Sequence, residues 1–462
     1  MNMMSLPALS PAQKLIHFSH AFASAPLPPE LLEQAKWCLL DALACGLFGS
    51  AQPWGRIMTE EVNADASQGP CTVLGQNGTT AAAAAALCNG TAIHGFELDD
   101  LIASSLVHPG TVIVPAVLAA AESADASGES LLRGIIIGYE AISRLSLALG
   151  NEPSHRGFHK TSVVGPVAAA IATGVVSGLT QEQLSCAVGL ACSTSSGIKS
   201  FAGGSGGGMV KRMHAGRAAE SGVRVSQLAR RGFTGPGTAI DGHFGLLDVF
   251  SGQSAAPDHL WRGLGEQWVI NEIWVKVYPI CAWIQGVVQL LLELRGAQPL
   301  RPQDIRKVVV GTSAFAVKFN GNGSPTDTME AQYSIPYCAA VALTGNPGNP
   351  DEYGLQAIAD RSRKALANCV ELGVDAESEA VYPRQFGSRV QLHLANGEVR
   401  EAATLNAHGT AGDPCSTAER FAKFRQLAEA APNRIDASAI LDAMPTLQRL
   451  GSIREFTRLL RA

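Results

Sequence analysis

WVINEIWVKVYPIC, residues 268–281, is the stretch on which the reading of the fold turns. Val, Ile and Trp alternate with polar residues, a pattern that predicts extended backbone. On its N-terminal side the chain reads as helices. Ser10-Pro11 opens one with a cap and a proline at the first helical position. Pro29 to Phe48 follows, with Leu32, Leu39, Leu40, Leu43 and Leu47 at helical spacing. Alanine-rich Thr79 to Leu87, then Thr111 to Glu122, Ser130 to Leu149, Thr161 to Val176 and Ala218 to Arg231 continue the series. On the C-terminal side the character is mixed. Ala282 to Arg295, Met329 to Thr344 and Gly354 to Leu366 predict helices, Asp304 to Gly311 a strand, and Asn396-Gly397 a hairpin turn inside Ser388 to Ala403. Helices return at two capping boxes, Ser416-x-x-Glu419 and Ser452-x-x-Glu455. The fold class expected is mainly α: a large all-helical domain, residues 1–267 plus 410–462, with an inserted smaller α+β lid domain, residues 268–409. A cleft between the two is the natural position for a ligand.

The totals narrow the function. A chain of 462 residues carries a large core, and a formal net charge of −5 with no basic stripe argues against a nucleic-acid surface. The ten cysteines contain no CxxC pair, so a structural zinc site is not expected. The start lacks a basic segment followed by an apolar one, and apolar runs break before a bilayer-spanning length. A cytoplasmic protein is the expectation.

Three motifs carry candidate chemistry. In GIKSFAGGSGGGMVKRMHAGR, residues 197–217, Lys199, Lys211, Arg212 and His214 flank small residues that let backbone approach a ligand, which suggests an anion site. The stretch is not a P-loop, because Met209 and Val210 follow Gly208. HGFELDD, residues 94–100, packs Glu97, Asp99 and Asp100 within four positions; on a helix Glu97 and Asp100 would share a face and Asp99 would point elsewhere. The commoner origin of such a cluster is a solvated turn, but Phe96 and Leu98 point to partial burial. His155 and His159 stand four apart, yet Pro153, Gly157 and the lack of an HExxH glutamate set metal binding below a non-metal role.

These pieces, taken in order, resemble the MmgE/PrpD family, whose members include 2-methylcitrate dehydratase, cis-aconitate decarboxylase and iminodisuccinate epimerase. The matching segments are HGFELDD with VHPGT, GFHKTSVVG at 157–165, KRMHAG at 211–216, KVYPIC at 276–281 and EAQYSIPYCAA at 330–340. The resemblance implies a cofactor-independent, metal-free enzyme, usually a homodimer, acting on a small-molecule polycarboxylate in a cleft between helical domain and lid. It implies functional positions at Glu97, where many relatives carry Asp, and at His108, His159, Lys211, His214, Lys276 and Tyr337. The chain departs from the decarboxylase branch at Cys281 and Leu101, where that branch has histidine and threonine; Ala282 and Gln285 stand where many relatives have arginine and histidine. These departures weigh against decarboxylation of cis-aconitate.

The step shared across the family moves a proton on a carbon beside a carboxylate. Lys211 and Lys276 are the candidates for binding carboxylates and holding the developing charge, with Arg212 as a possible helper. His159 is the first choice for acid–base work and His108 the second. Glu97 or Asp100 can orient a histidine or bind a substrate hydroxyl, and Tyr337 can protonate a leaving hydroxyl. Cys281 is either an acid–base group or a small packing residue. The expected function is a hydro-lyase; an epimerase of a substituted succinate and a non-catalytic carboxylate-binding protein are the alternatives.

Overall fold

A computed structural model describes residues 9–65, 67–202, 208–431 and 435–461. The helical body is built from α1 (Pro11–Phe22), α2 (Pro29–Ser50), α3 (Pro53–Ala64), α4 (Ala82–Ile93), α5 (Pro109–Ala124), α6 (Gly128–Leu149), α7 (Glu152–His155), α8 (Lys160–Val176), α9 (Gln181–Cys192) and α10 (Val210–Arg230). Alternating polarity is nearly absent from α5 and α8, and a helix apolar on all sides belongs in the middle of a core. Every residue of α8 is buried, and it packs on α5, α6, α9 and α10. One hydrophobic core runs through this body, drawing on residues 12–273 and 424–460. Thr79 and Thr80, expected to begin a helix, instead pair with Cys71 and Thr72 in a two-residue antiparallel ladder, and α4 starts at Ala82.

Small residues bring the helices that carry the site together. α10 crosses α4 at Gly216 and Gly90: a Cβ on Gly216 would lie 2.4 Å from the Leu87 carbonyl oxygen, and one on Gly90 2.8 Å from Gly216 Cα. Gly216→Ala is therefore expected to force the helices apart and cost about 1–3 kcal/mol of stability. Denaturant unfolding of the variant measures it; an unchanged midpoint contradicts this packing.

The second core, residues 280–394, belongs to an α+β unit. Strands β3 (Ile305–Thr312), β4 (Val370–Val374), β5 (Ser388–Leu394) and β6 (Val399–Thr404) stand in the order β4-β3-β5-β6. β3 and β4 are parallel; the other pairs are antiparallel, and the β5–β6 hairpin turns at Asn396-Gly397 with Gly397 at φ +92°. α12 (Ala282–Arg295) lies against β5, β6 and the helix Ile335–Thr344.

Four expectations fail. Residues 268–281 are not a strand: Val269–Glu272 is a 3-10 turn, and beyond it Trp274 exchanges backbone bonds with Leu101 while Val275 N–H reaches the Gly409 carbonyl. The alternation arises because the segment passes from one core to the other. Met329 to Thr344 breaks into Thr328–Gln332 and Ile335–Thr344, because Ser334 caps the second helix and Pro336 disfavours continuing from the first. Gly354 to Leu366 breaks likewise at Asp360, which caps Arg361–Ala367. Ser452 is not a helix cap; its hydroxyl donates to Asp125.

Candidate active site

A cavity of about 150 Å³ opens between the helical body and the α+β unit. Residues at the N-termini of four helices line it: His108 caps α5, His159 and Lys160 begin α8, Lys211 lies in the first turn of α10, and Cys281 caps α12. The positive ends of these helices favour an anion in the space they share. Trp283, Phe315, Tyr382 and Phe386 form an aromatic wall from the α+β unit.

The loop from His94 to His108 is irregular rather than helical, and Glu97 takes φ +59°, a conformation that strains a residue with a Cβ. That twist directs its carboxylate between two lysines. Lys211 Nζ donates to Oε1 and Lys276 Nζ to Oε2 at 3.2 Å; Lys211 comes from the helical body and Lys276 from the crossing segment. All three side chains are buried. Burial raises the Glu97 carboxyl, but Lys211 and Lys276 outweigh it and hold the group well below the ordinary carboxylate range. Burial likewise opposes the Lys276 ammonium, which Glu97 and Asp99 more than restore. The Tyr333 hydroxyl stands 3.4 Å from Glu97 Oε2, and burial together with that carboxylate pushes the phenol well up.

Beside this clamp runs a series of imidazoles. Asp99 Oδ2 lies 2.6 Å from His108 Nδ1 and 3.1 Å from His94 Nδ1. Burial raises the Asp99 carboxyl, and His108, Lys276 and His94 pull it well below its usual value. The His94 ring stacks on His159 at 5.7 Å, and His159 Nδ1 is 3.1 Å from His214 Nδ1. Burial lowers the His108 imidazole more than Asp99 raises it. Burial, then His94 and Lys211, push His159 further down. With Nδ1 held by Asp99, His108 has Nε2 left for the cavity.

The site residues expected from sequence divide into two groups. Glu97, His108, His159, Lys211, Lys276 and Cys281 line one cavity. Asp100, Arg212, His214 and Tyr337 do not. Asp100 accepts from Tyr139 Oη at 2.6 Å and from Gly110 N–H at 2.9 Å, closing the base of α5; burial, then Asp41, raises it to about 7. Arg212 lies over Trp54 at 4.0 Å and donates to the Gly95 and Gly208 carbonyls, bracing the loop rather than facing a ligand. His214 acts at one remove, through His159. Tyr337 is corrected: it points into the α+β core, its hydroxyl donating to the Glu352 carbonyl at 2.7 Å. Tyr333 occupies the cavity, exposed to it by the break between the two helices. The glycine run Gly203–Gly207 lies outside the described residues.

Two further residues work behind the lining. Gln285 donates to the Tyr278 and Ile280 carbonyls and so fixes the loop that presents Cys281. Gln332 donates to Phe96 O and Pro279 O, tying the Glu97 loop to the α+β unit. Burial, with Glu97 next, raises the Cys281 thiol to about 11, the behaviour of a packed thiol rather than a thiolate. His94, Asp99 and His108 bring donor atoms within 4.8 Å of one another, close enough in principle for a metal ion. Both Nδ1 atoms, however, already engage one Asp99 oxygen, a proton-sharing arrangement.

Residues 13–258 match the MmgE/PrpD N-terminal domain and residues 278–447 the MmgE/PrpD C-terminal domain. A cis-aconitate decarboxylase of Aspergillus terreus is 30% identical over 350 residues, 71% of each chain. A cis-aconitate decarboxylase-like protein of Aspergillus oryzae is 27% identical over 463 residues, 94% of each chain. The human cis-aconitate decarboxylase is 24% identical over 457 residues, 96% of this chain and 92% of its own.

Proposed function

The chain belongs to the MmgE/PrpD family, and from that premise we propose that it is a lyase acting on a small di- or tricarboxylate by proton transfer at a carbon beside a carboxylate. The observation that carries this reading is the convergence of Lys211 and Lys276 on one point of a cavity shared with two imidazoles and a phenol. A carboxylate entering between the lysines shares them with Glu97. The charge that develops when the neighbouring carbon loses its proton then faces two ammoniums already in position, with little reorganisation required. His108 takes that proton at Nε2 while Asp99 stabilises the imidazolium. Tyr333, kept protonated by its surroundings, donates to the departing hydroxyl, and the products are an alkene and water.

Loss of carbon dioxide is the second reading, favoured by the names of the relatives. It uses the same clamp, because the electron pair left on carbon is delocalised onto a carboxylate in the same position, and His108 then delivers a proton instead of removing one. A homodimer working without cofactor completes the proposal.

Incubation with 2-methylcitrate, citrate, cis-aconitate and substituted succinates in deuterated water tests it. Alkene formation from a hydroxy acid supports the hydro-lyase, release of carbon dioxide supports the second reading, and deuterium uptake with inversion and no alkene makes it an epimerase. Binding without any turnover rejects an enzyme. Tyr333→Phe is expected to lower kcat about 10–100-fold. Tyr337→Phe leaves kcat unchanged and costs about 1 kcal/mol of stability through its lost hydrogen bond. Steady-state rates and denaturant unfolding of the two variants check the assignment.

A further inference from the structure

The Lys211–Lys276 clamp already holds an anion of its own, Glu97. The same cavity also holds cations without one among the described residues. Lys160, the first residue of α8, is 4% exposed and lines the cavity, yet its ammonium has no hydrogen bond or ion pair among the described residues. Lys199 lines the same cavity and has no counter-ion among the described residues; its ammonium lies 5.6 Å from the Phe315 ring centroid. Glu97 is the one acid among the described lining residues, and it belongs to the clamp. Asn151, Ser154 and His155 add polar side chains to the lining.

A buried ammonium with no partner is costly, and a second, half-buried one near it adds to the cost unless something else offsets the charge. Burial, with Lys199 beside it, draws Lys160 down to about 7. Lys199 stands near enough to Lys160 for the two charges to repel. The N-terminus of α8 adds a positive end at Lys160 itself.

We propose that Lys160 and Lys199 form a second anion subsite that holds the substrate carboxylate farthest from the reacting carbon, so that the enzyme selects acids carrying one carboxylate more than the clamp can hold. This rests on the reading of the cavity as a polycarboxylate site and adds which end of the acid goes where. The subsite neutralises the distal carboxylate and fixes the register of the chain against His108.

Calorimetric titration with propane-1,2,3-tricarboxylate and with 2-methylbutanedioate, the same skeleton with one terminal carboxylate replaced by hydrogen, tests the subsite. Lys160→Met and Lys199→Met are each expected to weaken the tricarboxylate about 30-fold or more and to change the dicarboxylate less than about threefold. Lys160→Arg, which keeps a cation, recovers most of the loss. Equal losses for both acids, or none for the tricarboxylate, overturn the subsite while the clamp survives. A wild-type protein that binds neither acid overturns the polycarboxylate reading and the subsite together. Thermal unfolding without ligand separates folding from binding: Lys160→Met removes an uncompensated buried charge, so its unfolding temperature is expected to equal or exceed that of the wild type, and a fall assigns the lysine a structural role instead.

Discussion

Replacing Lys276 by methionine is expected to lower kcat/KM about 10³-fold. Lys276 is fully buried, donates to Glu97 Oε2 at 3.2 Å and is held protonated by Glu97 and Asp99. Methionine fills its volume without its charge, so the loss measures electrostatic stabilisation and not a cavity. Lys211→Met is expected to behave alike, because Lys211 meets the other oxygen of the same carboxylate. Glu97→Gln makes the complementary case: it leaves two buried ammoniums without a counter-ion and is expected to destabilise the ligand-free protein by about 3–5 kcal/mol, with added polycarboxylate restoring part of it. The pH dependence has a definite sign. The Glu97 carboxyl sits lower in the folded chain than its ordinary value of 4.5, so the stability it lends is complete above that value and is lost as the pH falls through the folded one. Thermal unfolding between pH 6 and pH 3 is therefore expected to drop more steeply for wild type than for Glu97→Gln; equal slopes contradict the ion triad.

The second large effect is expected at His108. His108→Asn removes the ring whose Nδ1 is held by Asp99 and should lower kcat about 10²–10⁴-fold, the range of a positioned acid–base group. His159→Asn is expected to cost less, since His159 carries no carboxylate partner and its imidazole is driven further from protonation. Asp99 is a positioning residue. Asp99→Asn removes the charge that raises His108 and should displace the acid limb of the pH–rate profile towards lower pH, a change that a merely structural role would not produce. A larger loss in His159→Asn than in His108→Asn reverses the assignment of the two rings.

Much of the helical body was legible because its signals are local. Ser10 and Ser416 cap helices as their spacing indicates, and the Asn396-Gly397 hairpin forms where the turn chemistry requires it. Six lining residues were legible through their motifs. What was lost depends on contacts between distant segments. A helical reading of HGFELDD sends Asp99 away from its neighbours, whereas the loop is bent by Glu97 at φ +59° and brings Asp99 between two histidines. An unbroken helix over Met329 to Thr344 makes Tyr337 as good a candidate as Tyr333; the break at Ser334 separates them, and the proline two residues on was the available signal. Lys160 is visible in GFHKTS, but only its burial without a partner distinguishes it from a surface lysine. The extended pattern of residues 268–281 reports a chain crossing between two cores, which alternation alone does not separate from a strand.

The central claim is that cations delivered from both structural units meet around one acid while His108 and its neighbours move the hydrogen. A crystal structure of the protein with propane-1,2,3-tricarboxylate tests it most directly. The expected result is one carboxylate of the ligand within hydrogen-bond distance of both Lys211 and Lys276 and its adjacent carbon facing His108 Nε2. A ligand bound away from both lysines, or one that meets them with His108 turned out of reach of every carbon, contradicts the account.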